Sequence, residues 1–205
     1  NAQGAWQGNR ARISLQKTFE KENVLSSDSR YSMLKPDLAD NIDILTPSRY
    51  KDGIPVVKYS NMNKDGSKPV SNIAYTDFPL LRLGEIYLNY AEAVLRGGSG
   101  GTSAMALTYV NDLRKRAYNN SSSATISSSD LTLDFILDER GREFFFEAQR
   151  RTDLVRFDKL TTSSYVWQWK GGAFNGIAVD KKFNVYPIPA DDIGSNPNLT
   201  QYTGY

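Results

Sequence analysis

Phe78-Pro79-Leu80-Leu81-Arg82-Leu83-Gly84-Glu85-Ile86-Tyr87-Leu88-Asn89-Tyr90-Ala91-Glu92-Ala93 carries the clearest helical pattern of the chain. Proline is tolerated in a first helical turn and Asp77 offers a capping side chain, so the spacing predicts a helix from Pro79 to about Arg96, stopped at Gly97-Gly98. Within it Arg82, Glu85, Asn89, Glu92 and Arg96 recur at helical intervals as one polar stripe. The rest of the cylinder is apolar, through Leu81, Leu83, Ile86, Tyr87, Leu88, Tyr90 and Val94. So narrow a polar face predicts burial on most sides. The stripe itself reads as a face solvated or salt-bridged to a neighbouring helix, and a polar ligand groove along it is the sharper alternative.

Downstream, Gly100-Gly101 leads to a second helix with Thr102 or Ser103 as N-cap, and Ala106, Tyr109, Val110, Leu113 and Ala117 fall on one face. The short connection makes the two helices an antiparallel hairpin. A Ser-rich loop spans Asn119 to Ser129. Leu133, Ile136, Leu137, Phe144 and Ala148 then mark a third helix, and Thr152 caps a short fourth one, so a second hairpin repeats the first. Two hairpins in series predict tetratricopeptide-like stacking, although the 34-residue consensus is not present. Upstream, Ile13, Leu15 and Phe19 punctuate a helix within Ala11 to Lys21. Pro36, Pro47 and Pro55 break any further one, and Val56-Val57-Lys58-Tyr59 reads as a short strand leading to the turn Asn63-Lys64-Asp65-Gly66-Ser67 and a β-hairpin. Beyond Lys159 the order is irregular and rich in Gly, Pro and Asn, and this aromatic tail is expected to pack rather than float. The fold class is therefore mostly α: tetratricopeptide-like helical hairpins with long irregular loops and a short β-hairpin.

Composition excludes several chemistries. At 40% hydrophobic and 23% charged residues the chain has the means to build a core. A net charge of +2, scattered along the sequence, is too small for the phosphate attraction that nucleic-acid binding uses. With no Cys and no His there is no imidazole base, no thiolate nucleophile and no imidazole or thiolate metal site. Any catalysis would run on Asp, Glu, Lys, Tyr or Arg. Gly97 to Gly101 lacks the Gly-Lys-Ser/Thr ending of a phosphate loop, and neither Asp52 nor Asp65 belongs to a calcium-loop series. No cofactor and no metal are expected. No stretch approaches the ~18 apolar residues of a membrane helix, and Asn1 reads as an internal cut.

Three blocks, taken together, resemble one family. Phe78 to Ala93 resembles the "FP-x-x-RL-x-EIYL-x-YAEA" helix of the RagB/SusD family. Leu137-Asp138-Glu139-Arg140 with Arg142-Glu143, Glu147, Arg150-Arg151, Asp153-Leu154 and Arg156-Phe157 resembles its "LDER-x-RE" block, and Tyr186-Pro187-Ile188-Pro189 with Asn196 to Gln201 and Gly204-Tyr205 is similar to its terminal motif. Trp6-x-Gly8-Asn9-Arg10-Ala11 joins them in order, so the resemblance covers most of the chain. It implies a single region, residues 1–205, corresponding to the C-terminal half of a longer protein whose N-terminal half and lipidated cysteine lie outside it. It also implies a surface-exposed lipoprotein of the outer membrane that captures oligosaccharide or polysaccharide without cleaving it and passes it to a SusC-like TonB-dependent transporter. Membrane contact would come only through the lipid anchor. Gly141 departs from the family, which uses a small helix former there, and costs ~1 kcal/mol relative to Ala in mid-helix.

Two sets of residues are candidates for function. Asp138, Arg140, Arg142, Glu143, Glu147 and Arg151 form the densest charge cluster. Glu143 and Glu147, four apart on one helix face, have the spacing of a retaining glycosidase's carboxylates, but flanking guanidiniums lower carboxylate pKa values where a general acid needs one raised. The cluster is therefore read as structural, with Asp138–Arg142 and Glu147–Arg151 pairing at i,i+4. Aromatic rings are the candidates for sugar, because a pyranose presents a flat C–H face that stacks on an indole while Asn and Arg bond its hydroxyls. Trp6 with Asn9 and Arg10 has those elements within a few residues, and the resemblance implies an aromatic platform in that loop. Trp167 and Trp169 are the second pair, with packing as their alternative role. The expected function is glycan binding without catalysis; the alternatives are a helical-repeat interaction scaffold and a carboxylate-based glycoside hydrolase.

Overall fold

The computed structural model describes residues 9–22, 27–68 and 76–205. The chain forms two compact units, Asn1–Arg150 and Arg151–Tyr205. The fold is mostly α, as the sequence predicts: the described residues include the helices α1 (Ile13–Glu20), α2 (Leu83–Leu95), α3 (Ser103–Ala117), α4 (Leu133–Phe144), α5 (Arg150–Arg156) and α6 (Ala190–Ser195).

In the first unit α2 and α3 form the expected antiparallel hairpin. Gly97 takes a positive φ of 85° just past α2, and Thr102 caps α3 by accepting a hydrogen bond from the Met105 amide at 3.2 Å. Tyr87 stacks flat on Tyr109 with ring centroids 4.5 Å apart, and the Tyr90 hydroxyl accepts from the Thr102 amide at 3.0 Å. Leu88, Ala91, Ala106, Val110 and Ala117 are buried, as are Ile136 and Leu137 of α4. Each of the larger of these side chains contributes about 1.5–3 kcal/mol through removal from water. α4 packs on both α1 and α2 and is capped by Thr132, which accepts from the Phe135 amide at 3.2 Å. A second cluster joins α1 to the irregular segment after it: Ala11, Phe19, Leu34, Ile54 and Phe145 are buried together, with the Phe19 ring 5.6 Å from Tyr31 and 6.2 Å from Phe145.

Several elements differ from the sequence expectation. α2 starts at Leu83, not Pro79, because Arg82 is extended (φ −147°, ψ 160°) and its side chain reaches across to α4. Asp77 therefore caps nothing in that helix. The apolar surface around the start of α2 is buried only in part: Leu88 and Ala91 are covered, but Leu83 is 62% and Ile86 47% exposed, as are Leu80 (84%) and Leu81 (65%) just before the helix. It is the polar stripe that turns toward α4. Asn89 accepts from Arg140 Nη1 at 2.7 Å, and Glu85 accepts from Gln149 at 3.3 Å. α4 ends at Phe144, and Phe146 and Ala148 adopt positive φ values of 60° and 59°, so Glu147 lies in a turn beyond the helix. The short β-hairpin is not seen among the described residues. Val56 makes an isolated antiparallel bridge with Leu34, and the turn at Asn63–Ser67 closes by itself, with the Asn63 amide donating to the Ser67 carbonyl at 2.9 Å. Residues 69–75, which would carry the return strand, lie outside the described residues.

The second unit is held by turns and short 3₁₀ segments, Lys170–Gly172 and Lys181–Asn184 among them. Gly176 has φ +76°, and a Cβ on it would stand 2.3 Å from the Trp167 carbonyl oxygen, so this close chain crossing requires glycine. The tail is clamped to the same unit. Gln201 both donates to and accepts from the backbone of Ile188, at 2.9 and 3.1 Å, and the Tyr205 hydroxyl donates to the carbonyls of Lys182 and Val185 at 3.1 and 3.0 Å.

Candidate functional site

The charge cluster of the first unit is organised around two glutamates of α4. Glu139 is fully buried and accepts from three guanidiniums: Arg30 Nη1 at 2.8 Å, Arg114 Nη1 at 3.1 Å, and Arg142 through Nε at 2.9 Å and Nη2 at 2.7 Å. One turn on, Glu143 is met by Arg30 at 3.0 Å, by Arg116 at 2.7 Å and by Arg82. Glu147 accepts from Arg82 at 2.7 and 2.8 Å and from Lys58. These acids draw together the loop at Arg30, the start of α2 at Arg82, and Arg114 and Arg116 of α3. Lys58 also donates to the carbonyls of Glu143 and Phe145 at 2.9 and 2.8 Å, and Arg82 to that of Glu143 at 2.8 Å. Two cations thereby satisfy carbonyls at the C-terminal end of α4, where the helix dipole favours positive charge.

The electrostatics are decided by numbers of partners. Burial, the largest single influence on Glu139, would raise its pKa, but Arg30, Arg142 and Arg114 together outweigh it and hold the carboxyl well below the usual carboxylate range. Burial is again opposed at Glu143 by Arg30, Arg116 and Arg82, and at Glu147 by Arg82 and Lys58, with the pKa lowered at both. Arg30 goes the other way: burial lowers its pKa, but Glu139, Asp28 and Glu143 raise it well above the ordinary value. Every one of these carboxylates is stabilised as an anion.

Of the six residues in the expected charge network, the structure pairs them differently. Asp138 meets Lys21 of the chain just after α1, rather than Arg142. Arg142 pairs with Glu139 at i−3 and with Glu22 at 3.1 Å, and also donates to the Thr18 carbonyl at 2.8 Å. Glu147 pairs with Arg82 and Lys58 instead of Arg151, because the chain leaves the helix before reaching it. Arg151 belongs to the second unit, where it donates to the Phe183 carbonyl at 2.6 Å and lies over the Tyr186 ring at 4.0 Å. Arg140 bonds Asn89 and lies 5.1 Å from the Phe144 ring centre. A Cβ at Gly141 would sit 3.1 Å from Nη1 of Arg150, which donates to the Leu137 carbonyl at 2.6 Å and would have to give by a few tenths of an ångström. The sequence reading omitted Arg30, Glu139 as a hub, Arg114, Arg116 and Lys58, while Arg82 belongs to the stripe read as solvated or salt-bridged to a neighbouring helix and does pair with Glu143 of α4. Only the density of arginine around the Leu137–Glu143 block hinted at partners elsewhere.

The aromatic candidates are separated. Trp6 lies outside the described residues. Asn9 is exposed, and Arg10 is half-buried with Nη1 3.4 Å from the Gly53 carbonyl. In the second unit Trp167 and Trp169 are both half-buried. Trp167 meets Tyr165 at 6.4 Å between ring centroids, and Trp169, itself at φ 66°, packs edge-on against Phe174 at 5.8 Å. Between them Lys170 is buried, with its ammonium donating to the carbonyls of Thr162 and Tyr165 at 2.6 Å each and lying 4.9 Å from the Trp167 ring centre. Both indoles are thus built into this loop. Among the described residues no group of three or more His, Cys, Asp or Glu side chains is placed to hold a metal ion, and no helix is long and apolar enough to cross a membrane.

Comparison with known proteins gives this arrangement a context. Over 160 residues the chain is 46% identical to the starch-binding protein SusD of Bacteroides thetaiotaomicron, a match covering 77% of this chain and 27% of that protein. The chain therefore spans about a quarter of the length of this curated relative. A SusD superfamily protein of Bacteroides thetaiotaomicron superposes with a TM-score of 0.64 at 24% identity, over 93% of this chain and 39% of that one, a likeness of fold. Surface glycan-binding protein A from Bacteroides uniformis superposes with a TM-score of 0.56 at 26% identity, over 90% of this chain and 39% of that one. Residues 46–205 match the SusD family along their whole length, and the chain belongs to that family.

Proposed function

We propose that the protein captures glycan at the cell surface and passes it intact to a SusC-like TonB-dependent transporter in the outer membrane, to which a lipid anchor outside residues 1–205 tethers it. The observation that carries this reading is the 46% identity to a starch-binding protein across most of the chain. The site supports a binding role over a catalytic one in a specific way. Glycoside hydrolysis by two carboxylates needs one of them held protonated, and Glu143 and Glu147 are both pulled in the opposite direction by Arg82. Sugar would be met by aromatic rings with neighbouring hydrogen-bonding groups: Trp6 with Asn9 and Arg10 in the first unit, and the half-buried Trp167 and Trp169 in the second. Single contacts of this kind are weak, and many anchored copies on one surface would raise the avidity.

Titration of the protein with soluble oligosaccharides, followed by tryptophan fluorescence, is expected to give saturable binding that weakens in Trp6→Ala. An unchanged response in that variant removes Trp6 from the site. Reducing ends released from a polysaccharide, and lost in Glu143→Gln, would replace the binding reading with a hydrolase. Co-purification of a SusC-like transporter tests the delivery step.

A further inference from the structure

We infer that Tyr186, backed by Arg151, is a second-unit stacking platform for a pyranose ring, a site separate from the tryptophans considered above. The inference rests on the glycan-binding reading and adds a particular contact to it.

Tyr186 is 72% exposed, more than any other large hydrophobic side chain of this unit among the described residues. A single exposed ring is ordinary on a protein surface. What distinguishes this one is its support. The Arg151 guanidinium lies 4.0 Å from the ring centre on one face, and that guanidinium is itself fixed by Nη2 donating to the Phe183 carbonyl at 2.6 Å. Pro187 follows directly and restricts the backbone at Tyr186 to extended conformations. The ring is therefore held before any ligand arrives, which reduces the ordering cost of binding. Its other face meets no protein ring or cation among the described residues.

The chemistry fits a sugar better than a purely apolar ligand. A pyranose offers C–H bonds to the aromatic face and hydroxyls around its rim. Arg151 takes one face of the ring as its support and leaves the other face for the sugar's C–H bonds. Phe183 and Tyr205, 45% and 41% exposed, lie edge to face at 6.5 Å and belong to the same stretch of tail, with Lys182 over both rings at 5.5 and 5.0 Å.

The test is local, so that a stronger site elsewhere on the protein does not mask it. Carbon-13-labelled tyrosine is incorporated into the full chain, and the Tyr186 ring signal is assigned by its disappearance in Tyr186→Phe. Maltoheptaose, cellohexaose and mannohexaose are then titrated separately. The expected result is that the Tyr186 signal shifts saturably with at least one of them. The affinity read from it should match the Phe variant's own binding, while Tyr186→Ala binds that glycan about three- to tenfold more weakly with an unchanged urea midpoint. A stationary Tyr186 signal while other signals titrate overturns this site and leaves glycan binding standing, as does unchanged affinity in Tyr186→Ala. Equal losses in the Phe and Ala variants refute stacking. A protein that binds none of the three glycans overturns the proposed function and this site with it.

Discussion

The two units of the chain hold their cations with a different balance of partners. In the first unit, carboxylates take the larger share: Glu139, Glu143 and Glu147 collect Arg30, Arg82, Arg114, Arg142 and Lys58, with the exposed Arg116 at the edge. In the second, carbonyls take the larger share: Lys170 ends on Thr162 and Tyr165, Arg151 on Phe183 and Lys182 on Gly204, while Arg156 pairs with Asp153 at 2.8 Å. Helices explain the difference. Most helix carbonyls are consumed by internal bonds, so a cation crossing between helices meets side-chain acceptors and only the carbonyls left open near helix ends, as Arg142 does at Thr18 and Lys58 at Glu143. Turn-rich chain leaves carbonyls open and offers them directly. The first arrangement concentrates energy in a few titratable groups, whereas the second spreads it over bonds that do not titrate.

The severest way to break the comparison is at Glu139. Its removal takes an acceptor from Arg30, Arg114 and Arg142 at once and leaves them to Asp28, Glu143 and Glu22 in a buried site. Breaking one partner of a buried ionic cluster costs about 3–5 kcal/mol where charge is left uncompensated, and the remaining acids place this loss toward the lower end of that range. Glu139→Ala should lower the unfolding free energy read from urea denaturation of the helical signal by that amount, or leave no folded first unit at all. A loss within the ~0.5 kcal/mol typical of surface changes would mean that the lattice is ornamental.

Acid should act on the same lattice by degrees. The carboxyls of Glu139, Glu143 and Glu147 have pKa values below their unfolded ones, near ~4.3. Groups of that sign add stability that is complete above the unfolded value and disappears as pH falls through the folded values. Between pH 7 and 5 the first unit should hold, and below about pH 4 its far-UV helical signal should become progressively easier to unfold. In a Trp6→Phe variant, tryptophan emission reports only Trp167 and Trp169, and it should survive to lower pH than the helical signal does. Loss of both signals at one pH would show that the carbonyl clamps depend on the carboxylate lattice.

How much of this was legible beforehand follows the same division. Thr102 and the apolar faces of α3 and α4 were readable, because capping and helical period are local properties. The start of α2 was misread, since Pro79 satisfies every local rule for a first helical turn. What overrides it is Arg82, whose acceptors lie 61 and 65 residues away. Glu147 was placed on a helix face for want of any sign that Phe146 and Ala148 take positive φ, a conformation costly to both residue types and invisible in their identities. The apolar band at Leu80, Leu81, Leu83 and Ile86 was correctly seen as apolar and wrongly seen as buried. Period fixes which residues share a face and says nothing of which face meets a neighbour. Tyr186 was read only as part of the terminal Tyr-Pro-Ile-Pro motif, because the arginine beneath its ring was assigned to Glu147 by sequence spacing alone.

On the second unit's side of the comparison, Lys170 gives a smaller and more local effect. Lys170→Met keeps the stem that packs within the loop and removes the ammonium, leaving the Thr162 and Tyr165 carbonyls without that donor. Stranded buried acceptors cost about 1–3 kcal/mol, and the change should appear as a shifted emission maximum of Trp167 and Trp169. The first unit's helical signal should not move with it. Matching shifts in both signals would erase the distinction between the units.

The mildest probe sits beside the lattice itself. Tyr118 is buried against α3's last turn, with the Arg114 guanidinium 5.3 Å from its ring centre, yet its hydroxyl has no hydrogen-bond partner among the described residues. Burial, then the nearby Asp28 charge, push its pKa up to about 12, so the hydroxyl keeps its proton at any pH where the protein is folded. Such a group contributes its ring and loses its hydration. Tyr118→Phe should therefore leave stability unchanged or raise it by up to ~1 kcal/mol, while Tyr118→Ala, which also deletes the ring under Arg114, should cost about 3–5 kcal/mol. The pair of variants separates packing from polarity at the edge of a charged core. If the Phe variant is weakened by as much as the Ala one, the hydroxyl is bonded in solution, and the lattice extends one residue further than its ion pairs indicate.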